Sequence, residues 1–181
     1  GALGVVLAVA AILLTAVFFR PLIICSTALE GGLLLGGTLL IAALEWTNPG
    51  TIAGMNFIQK IQAAFFQSVT MRTAGFNTVD LAAMHPETKF VSSILMFIGA
   101  APASTGGGIK TTTFFALMQQ VRAVFTKKKP GGFHRTLPGE AIDKAGVIAL
   151  LSVVVVCVGT FLLCVLEPEL DFVRLLFEEV S

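Results

Sequence analysis

Long apolar runs dominate this chain, and the polar breaks between them say how it is organised. Positions 2 to 19 carry no charge, positions 22 to 44 carry one, Glu30, and positions 147 to 166 carry none. Each run is long enough to cross the roughly 30 Å hydrocarbon core of a bilayer as a helix. Arg20-Pro21 separates the first two runs, and Glu45-Trp46-Thr47-Asn48-Pro49-Gly50 closes the second with an interfacial aromatic and a turn. The stretch Phe57 to Thr70, FIQKIQAAFFQSVT, is amphipathic at helical spacing but covers only roughly 21 Å, too little to cross. TMRTAGFNT follows, and Val79 to Met84 leads the chain back. A short helix, a glycine-containing turn and a return describe a re-entrant loop, tolerated at membrane depth only where it is buried in protein or lines water.

Phe90 to Phe125 poses the opposite problem. As one helix it would be about 54 Å long, far beyond a bilayer. A break is therefore expected in Ala100-Ala101-Pro102-Ala103-Ser104-Thr105-Gly106-Gly107-Gly108. There, glycine and proline interrupt the helix and leave a pliable segment, and the hydroxyls can satisfy the freed backbone.

Composition supports the same class. With 55% hydrophobic and 13% charged residues, the chain is not a soluble domain, and a net charge of +1 gives no reason to expect nucleic acid. The expected fold class is an all-α membrane protein. Cys25, Cys157 and Cys164 lie inside apolar runs and read as small buried hydrophobes. No basic stretch or small-residue cleavage pattern opens the chain, so no cleaved leader is expected, and both ends read as cut from something longer. Arg122, Lys127, Lys128, Lys129, Arg135 and Lys144 outweigh Glu140 and Asp143, which places that loop in the cytoplasm and the re-entrant loop on the outer side. The three lysines suit anionic lipid or a topology anchor, with a cytosolic regulatory subunit as the sharper reading.

The chain also repeats itself. GTLLIAALE (37 to 45) matches GTFLLCVLE (159 to 167) without gaps, and FQSVT (66 to 70) matches FEEVS (177 to 181) in pattern. The unit is a spanning helix, an external turn and an amphipathic half-helix.

The candidate chemistry lies in two places. A half-helix that directs its carbonyl end toward the membrane middle favours a cation there. The carbonyls of Thr73, Ala74, Gly75 and Phe76 can replace a cation's water shell, with Gly75 supplying the unusual backbone angle; an ordinary external loop is the plainer alternative. The glycine-rich break invites comparison with a phosphate-binding loop, but Ile109 separates Gly108 from Lys110, where that motif needs glycine directly before lysine. Arg72 either tunes the entrance electrostatically or pairs with a carboxylate or carbonyls behind the loop; the second is favoured, since an arginine in a cation path repels the ion. Lys110 either faces a cytoplasmic vestibule or holds carbonyls of the broken helix. Glu30, two turns into a helix, is a functional candidate that also lies within reach of the interface. His85 and His134 read as solvated loop residues.

VTMRTAGFNTVD before a long helix, with FIGAAPASTGGGIKTTTF inside it, resembles the Trk/Ktr/HKT superfamily of cation transporters, and most of all its Ktr-type potassium-uptake membrane subunit. The resemblance spans essentially the whole chain. It implies four M1–pore loop–M2 repeats around one pore in the complete protein. Residues 1–20 are then the end of M2 of the second repeat, Gly1-Ala-Leu-Gly resembling its G-G-L-G start. Residues 21–126 form the third repeat, with M1 at 21–46, pore helix and filter at 55–80 and broken M2 at 88–126. Residues 127–144 form the cytoplasmic basic loop, and 145–181 hold M1 and the start of the pore helix of the fourth repeat.

By the same resemblance, Gly75 is the filter glycine and Thr73, Ala74, Gly75, Phe76 and Asn77 the filter segment, passing potassium or sodium through backbone carbonyls. Ala100, Ala101, Pro102, Ala103, Ser104, Thr105, Gly106, Gly107, Gly108, Lys110, Thr111 and Thr112 form an intramembrane gate loop. Alanines at 100, 101 and 103 stand where the family carries glycine and serine, which implies a stiffer first half of that loop. The resemblance further implies a multi-pass protein of the bacterial plasma membrane, a homodimer of the complete subunit and a cytosolic nucleotide-binding regulatory partner. Conduction is passive, so no enzyme activity, catalytic residue or bound cofactor is expected. A broken-helix transporter of anionic solutes and a non-conducting membrane scaffold remain the rival readings.

Overall fold

The computed structural model describes residues 24, 27–72, 75–100, 106–127, 129–132 and 135–181. Helix α1 (Thr27–Glu45) is followed by α2 (Phe57–Thr70), α3 (Pro86–Phe97) and α4 (Thr111–Thr126). Two two-residue strands, β1 (Gly131–Gly132) and β2 (Arg135–Thr136), pair antiparallel in the basic loop, and α5 (Gly139–Leu166) and α6 (Phe172–Val180) complete the chain. Among the described residues the fold is helical apart from that minimal hairpin and an isolated bridge between Ile98 and Ile109. Among the described residues, α1 and α5 are long and apolar enough to cross a membrane. At 1.5 Å per residue α3 and α4 reach only about 18 and 24 Å, so each alone falls short of a bilayer.

Local signals set the helix bounds. Helix α2 opens at Asn56, whose N–H donates to the Gln59 side chain at 3.1 Å, and Pro86 occupies the first turn of α3 with Glu87 beside it. Helix α4 ends where Lys127 adopts a left-handed φ of 52°. Helix α5 begins at Gly139 rather than at 145. The cause is a polar first turn with Glu140 in it and an exposed Lys144–Glu140 pair at 3.7 Å, which hydropathy does not mark but helix geometry accommodates outside the lipid.

Small residues bring the helices together. Ser68 on α2 donates to the Leu34 carbonyl of α1 at 2.9 Å, and a side chain at Gly37 would meet Ser68 Oγ at 2.5 Å and Leu95 Cδ1 at 2.8 Å. Ile41, Ala42 and Ala64 close that contact. The second half repeats the device: a side chain at Gly159 of α5 would collide with Glu179 of α6. Gly37 and Gly159 are equivalent in the sequence repeat, as are Ser68 and Glu179. Their neighbours Thr38 and Thr160 are both buried. Helix α6 also packs on α3, through Met71, Leu95 and Met96 with Phe177 and Val180.

The cysteines depart from expectation. Cys157 is exposed and Cys164 half-buried, because α5 is apolar all round and most of its surface touches nothing within this chain. Cys25 lies outside the described residues.

Candidate functional site

The first half of the candidate site begins where α2 stops. Its last turn is used up by Met71 N–H donating to the Gln67 carbonyl at 3.1 Å and Arg72 N–H to that of Val69 at 3.0 Å. Thr73 and Ala74 lie outside the described residues. Gly75 has a φ of +74°, a left-handed value that a side chain resists, and Phe76 and Asn77 are exposed. Thr70, the last residue of α2, reaches forward and donates from Oγ1 to the Phe76 carbonyl at 2.6 Å. Arg72 does not lie open to this turn. Its side chain is 7% exposed and faces Glu30 of α1 at 3.7 Å, the pairing behind the loop that was favoured from sequence. The helix therefore presents its negative dipole end toward Gly75, and the adjacent Arg72 is held against a carboxylate.

The second half is the break between α3 and α4. Ile98 and Ile109 pair in parallel, Ile109 N–H donates to the Phe97 carbonyl at 2.9 Å, and Thr111 N–H approaches the Ala100 carbonyl at 3.4 Å. The ends of the interrupted helix are thus stitched across the base of the loop. Glycine is required there by space. A side chain at Gly99 would occupy the Gly107 carbonyl, and one at Gly108 would sit 2.6 Å from the Met96 carbonyl while φ is +72°. The expectation of a pliable segment is corrected at this base: Gly99 and Gly108 serve close backbone packing. Lys110 donates from Nζ to the Gly106 carbonyl at 2.6 Å, so of its two readings the structure carries the one that holds broken-helix carbonyls. Ala100 and Thr111 are buried and Thr112 half-buried, whereas Gly107 and Gly108 are exposed. Ala101, Pro102, Ala103, Ser104 and Thr105 lie outside the described residues.

A third feature escaped the sequence reading. Glu45, taken as part of an interfacial turn, is 1% exposed. Its Oε2 accepts from Asn48 Nδ2 at 2.6 Å and Thr51 Oγ1 at 2.7 Å, and its Oε1 accepts the His85 backbone N–H at 2.9 Å. Asn48 Nδ2 donates as well to the Ala83 carbonyl at 2.8 Å. One carboxylate thus joins the end of α1, the turn after it and the start of α3. His85 exposes its ring as expected, but its backbone is fixed. The available signal is a lone carboxylate closing an apolar run three residues before Asn48-Pro49-Gly50. Nearby, Lys60 donates to the Trp46 carbonyl at 3.0 Å and lies 4.7 Å over its ring, and Phe57 meets Trp46 edge-on at 5.8 Å.

Comparison with known proteins places the chain, not its individual site residues, in a family. The profile of the TrkH family, described as "Cation transport protein", matches residues 5–181. "Ktr system potassium uptake protein B" of Bacillus subtilis (strain 168) is 38% identical over 163 residues, 85% of this chain and 36% of that protein. The protein of the same name from Vibrio alginolyticus is 39% identical over 150 residues, 82% and 33% of the two chains. "Potassium/sodium uptake protein NtpJ" of Enterococcus hirae is 34% identical over 136 residues, 75% and 30%. The chain spans about a third of the length of the curated relatives it matches.

Proposed function

The chain belongs to the TrkH family of cation transport proteins and is an integral membrane protein, and on that premise we propose that it forms part of the pore of a potassium-uptake membrane subunit. The observation that carries the proposal is the half-length helix α2 ending in a turn with Gly75 at φ +74°. Carbonyls at its C-terminal end offer a dehydrated monovalent cation replacement ligands, drawn from Thr73, Ala74, Gly75 and Phe76, with Asn77 closing the segment.

In this reading α1 is M1, α2 the pore helix, and α3 with α4 the broken M2 of one repeat. Helices α5 and α6 are M1 and the start of the pore helix of the next. The loop from Ala100 to Thr112 lies across the path as the barrier, with Lys110 on the Gly106 carbonyl bracing its far side. Permeation is passive, so the subunit is not an enzyme and binds no cofactor beyond its transported ion. The names of the relatives include potassium alone and potassium with sodium, and this chain is assigned potassium with sodium as the competing ion. The complete subunit sits in the plasma membrane, pairs with a second copy and couples through its cytoplasmic basic face to a nucleotide-binding partner, in keeping with relatives named as parts of a Ktr system.

Growth of a potassium-uptake-deficient strain on low potassium tests the proposal. The intact protein should restore growth, Gly75→Ser should lower the preference for potassium over sodium, and deletion of Ala103 to Gly107 should raise flux. No restored growth by the intact, membrane-inserted protein would refute the transport reading, and unchanged selectivity in Gly75→Ser would remove the glycine from the filter.

A further inference from the structure

We propose that Thr70 is a specificity-determining positioning residue: its hydroxyl orients the Phe76 carbonyl and so sets the geometry of the turn between them. The inference rests on the transport reading above and goes beyond it by naming a side chain behind the filter. Serine and threonine hydroxyls inside helices ordinarily turn back to the carbonyl four residues earlier. Thr38 does so to Leu34, Ser93 to Lys89, Thr126 to Arg122 and Ser152 to Ile148. Thr70 does not. Its Oγ1 crosses the turn in the other direction and donates to the carbonyl of the residue six positions ahead, at 2.6 Å.

Thr70 is 7% exposed, so water competes little for that bond. Gly75, with a φ of +74°, directly precedes the residue that supplies this carbonyl. One hydroxyl therefore closes the loop from the end of the helix to the far side of the turn. Arg72, paired to Glu30, ties the same loop to α1. In the FQSVT/FEEVS match Thr70 aligns with Ser181, whose hydroxyl turns back to the Glu178 carbonyl at 3.2 Å, so the forward-reaching bond belongs to Thr70.

The test measures potassium uptake by the intact protein in cells against competing sodium, for wild type, Thr70→Val, Thr70→Ala and Thr70→Ser. Removing the hydroxyl is expected to lower the ratio of the sodium to the potassium KM by about tenfold, the scale of one hydrogen bond, while Thr70→Ser stays within about twofold of wild type. A loss of membrane-inserted protein alone lowers the maximal rate and leaves that ratio unchanged. The inference is overturned if Thr70→Val keeps the wild-type ratio, or if Thr70→Ser loses it as fully as Thr70→Val. It is overturned equally if both hydroxyl-free variants fail to reach the membrane, since the hydroxyl then serves folding only. Wild type that carries no potassium overturns the transport reading itself, and this inference with it.

Discussion

Glu45 and Arg72 are both charged groups withdrawn from water, and breaking the pairing of either should cost stability. Glu45 accepts hydrogen bonds from the Asn48 and Thr51 side chains and from the His85 backbone N–H. In Glu45→Gln the amide nitrogen must face donors on at least one side. A buried donor left unmatched costs about 1–3 kcal/mol, so the variant should unfold at lower temperature in detergent micelles, as scanning fluorimetry would register. Arg72 is coupled to Glu30 across 3.7 Å. Glu30→Gln alone leaves the guanidinium without its carboxylate, and combining it with Arg72→Gln should recover part of the loss. The interaction in that double-mutant cycle should be roughly 1–3 kcal/mol; strict additivity would show that the pair contributes nothing.

Between α3 and α4 the determinant is the space between two backbones. Gly99 and Gly108 lie where the incoming and outgoing strands of the loop touch, and Gly108 also carries a left-handed φ. Gly99→Ala and Gly108→Ala should each destabilise by about 1–3 kcal/mol through strain and forced separation of the Ile98–Ile109 pairing. Gly54→Ala, at an exposed position with open space around it, should change stability by less than about 0.5 kcal/mol. Equal melting temperatures for the Gly99 and Gly54 variants would refute the packing account. The same close approach at Gly37 and Gly159 explains why each α-helical hairpin tolerates so little bulk at its crossing.

Over the whole molecule, charge decides which way the chain faces. Basic residues gather between α4 and α5, while the α1–α2 turn carries Trp46 and the Glu45 cluster. Single cysteines in a background lacking Cys25, Cys157 and Cys164 test the orientation with a membrane-impermeant thiol reagent. Lys129→Cys should label only in inside-out vesicles and Gly54→Cys only in right-side-out ones; the reverse pattern would invert the topology. The broad apolar exposure of α5, including Leu150, Val155, Phe161 and Leu166, fits a helix whose neighbours are lipid.

Much of this was legible in one dimension, because it depends on length and period. Run lengths against a fixed bilayer thickness identify α1 and α5, and the amphipathic period locates α2 at 57–70, its observed bounds. An overlong apolar stretch cannot remain one helix, and Gly37 recurs as Gly159 because the same crossing is built twice. Other features rest on contacts between residues far apart in the chain, which no local pattern encodes. Glu45 joins the start of α3 because His85, forty positions on, brings its N–H to a carboxylate already held by Asn48 and Thr51. Gly108 passes for pliability in the sequence, and its need for space against the Met96 carbonyl, like that of Gly99 against Gly107, arises only once the two ends of the loop meet. Arg72 needs α1 beside it before its charge has a direction, and the Thr70 hydroxyl acquires its partner only when the chain has turned at Gly75 and come back.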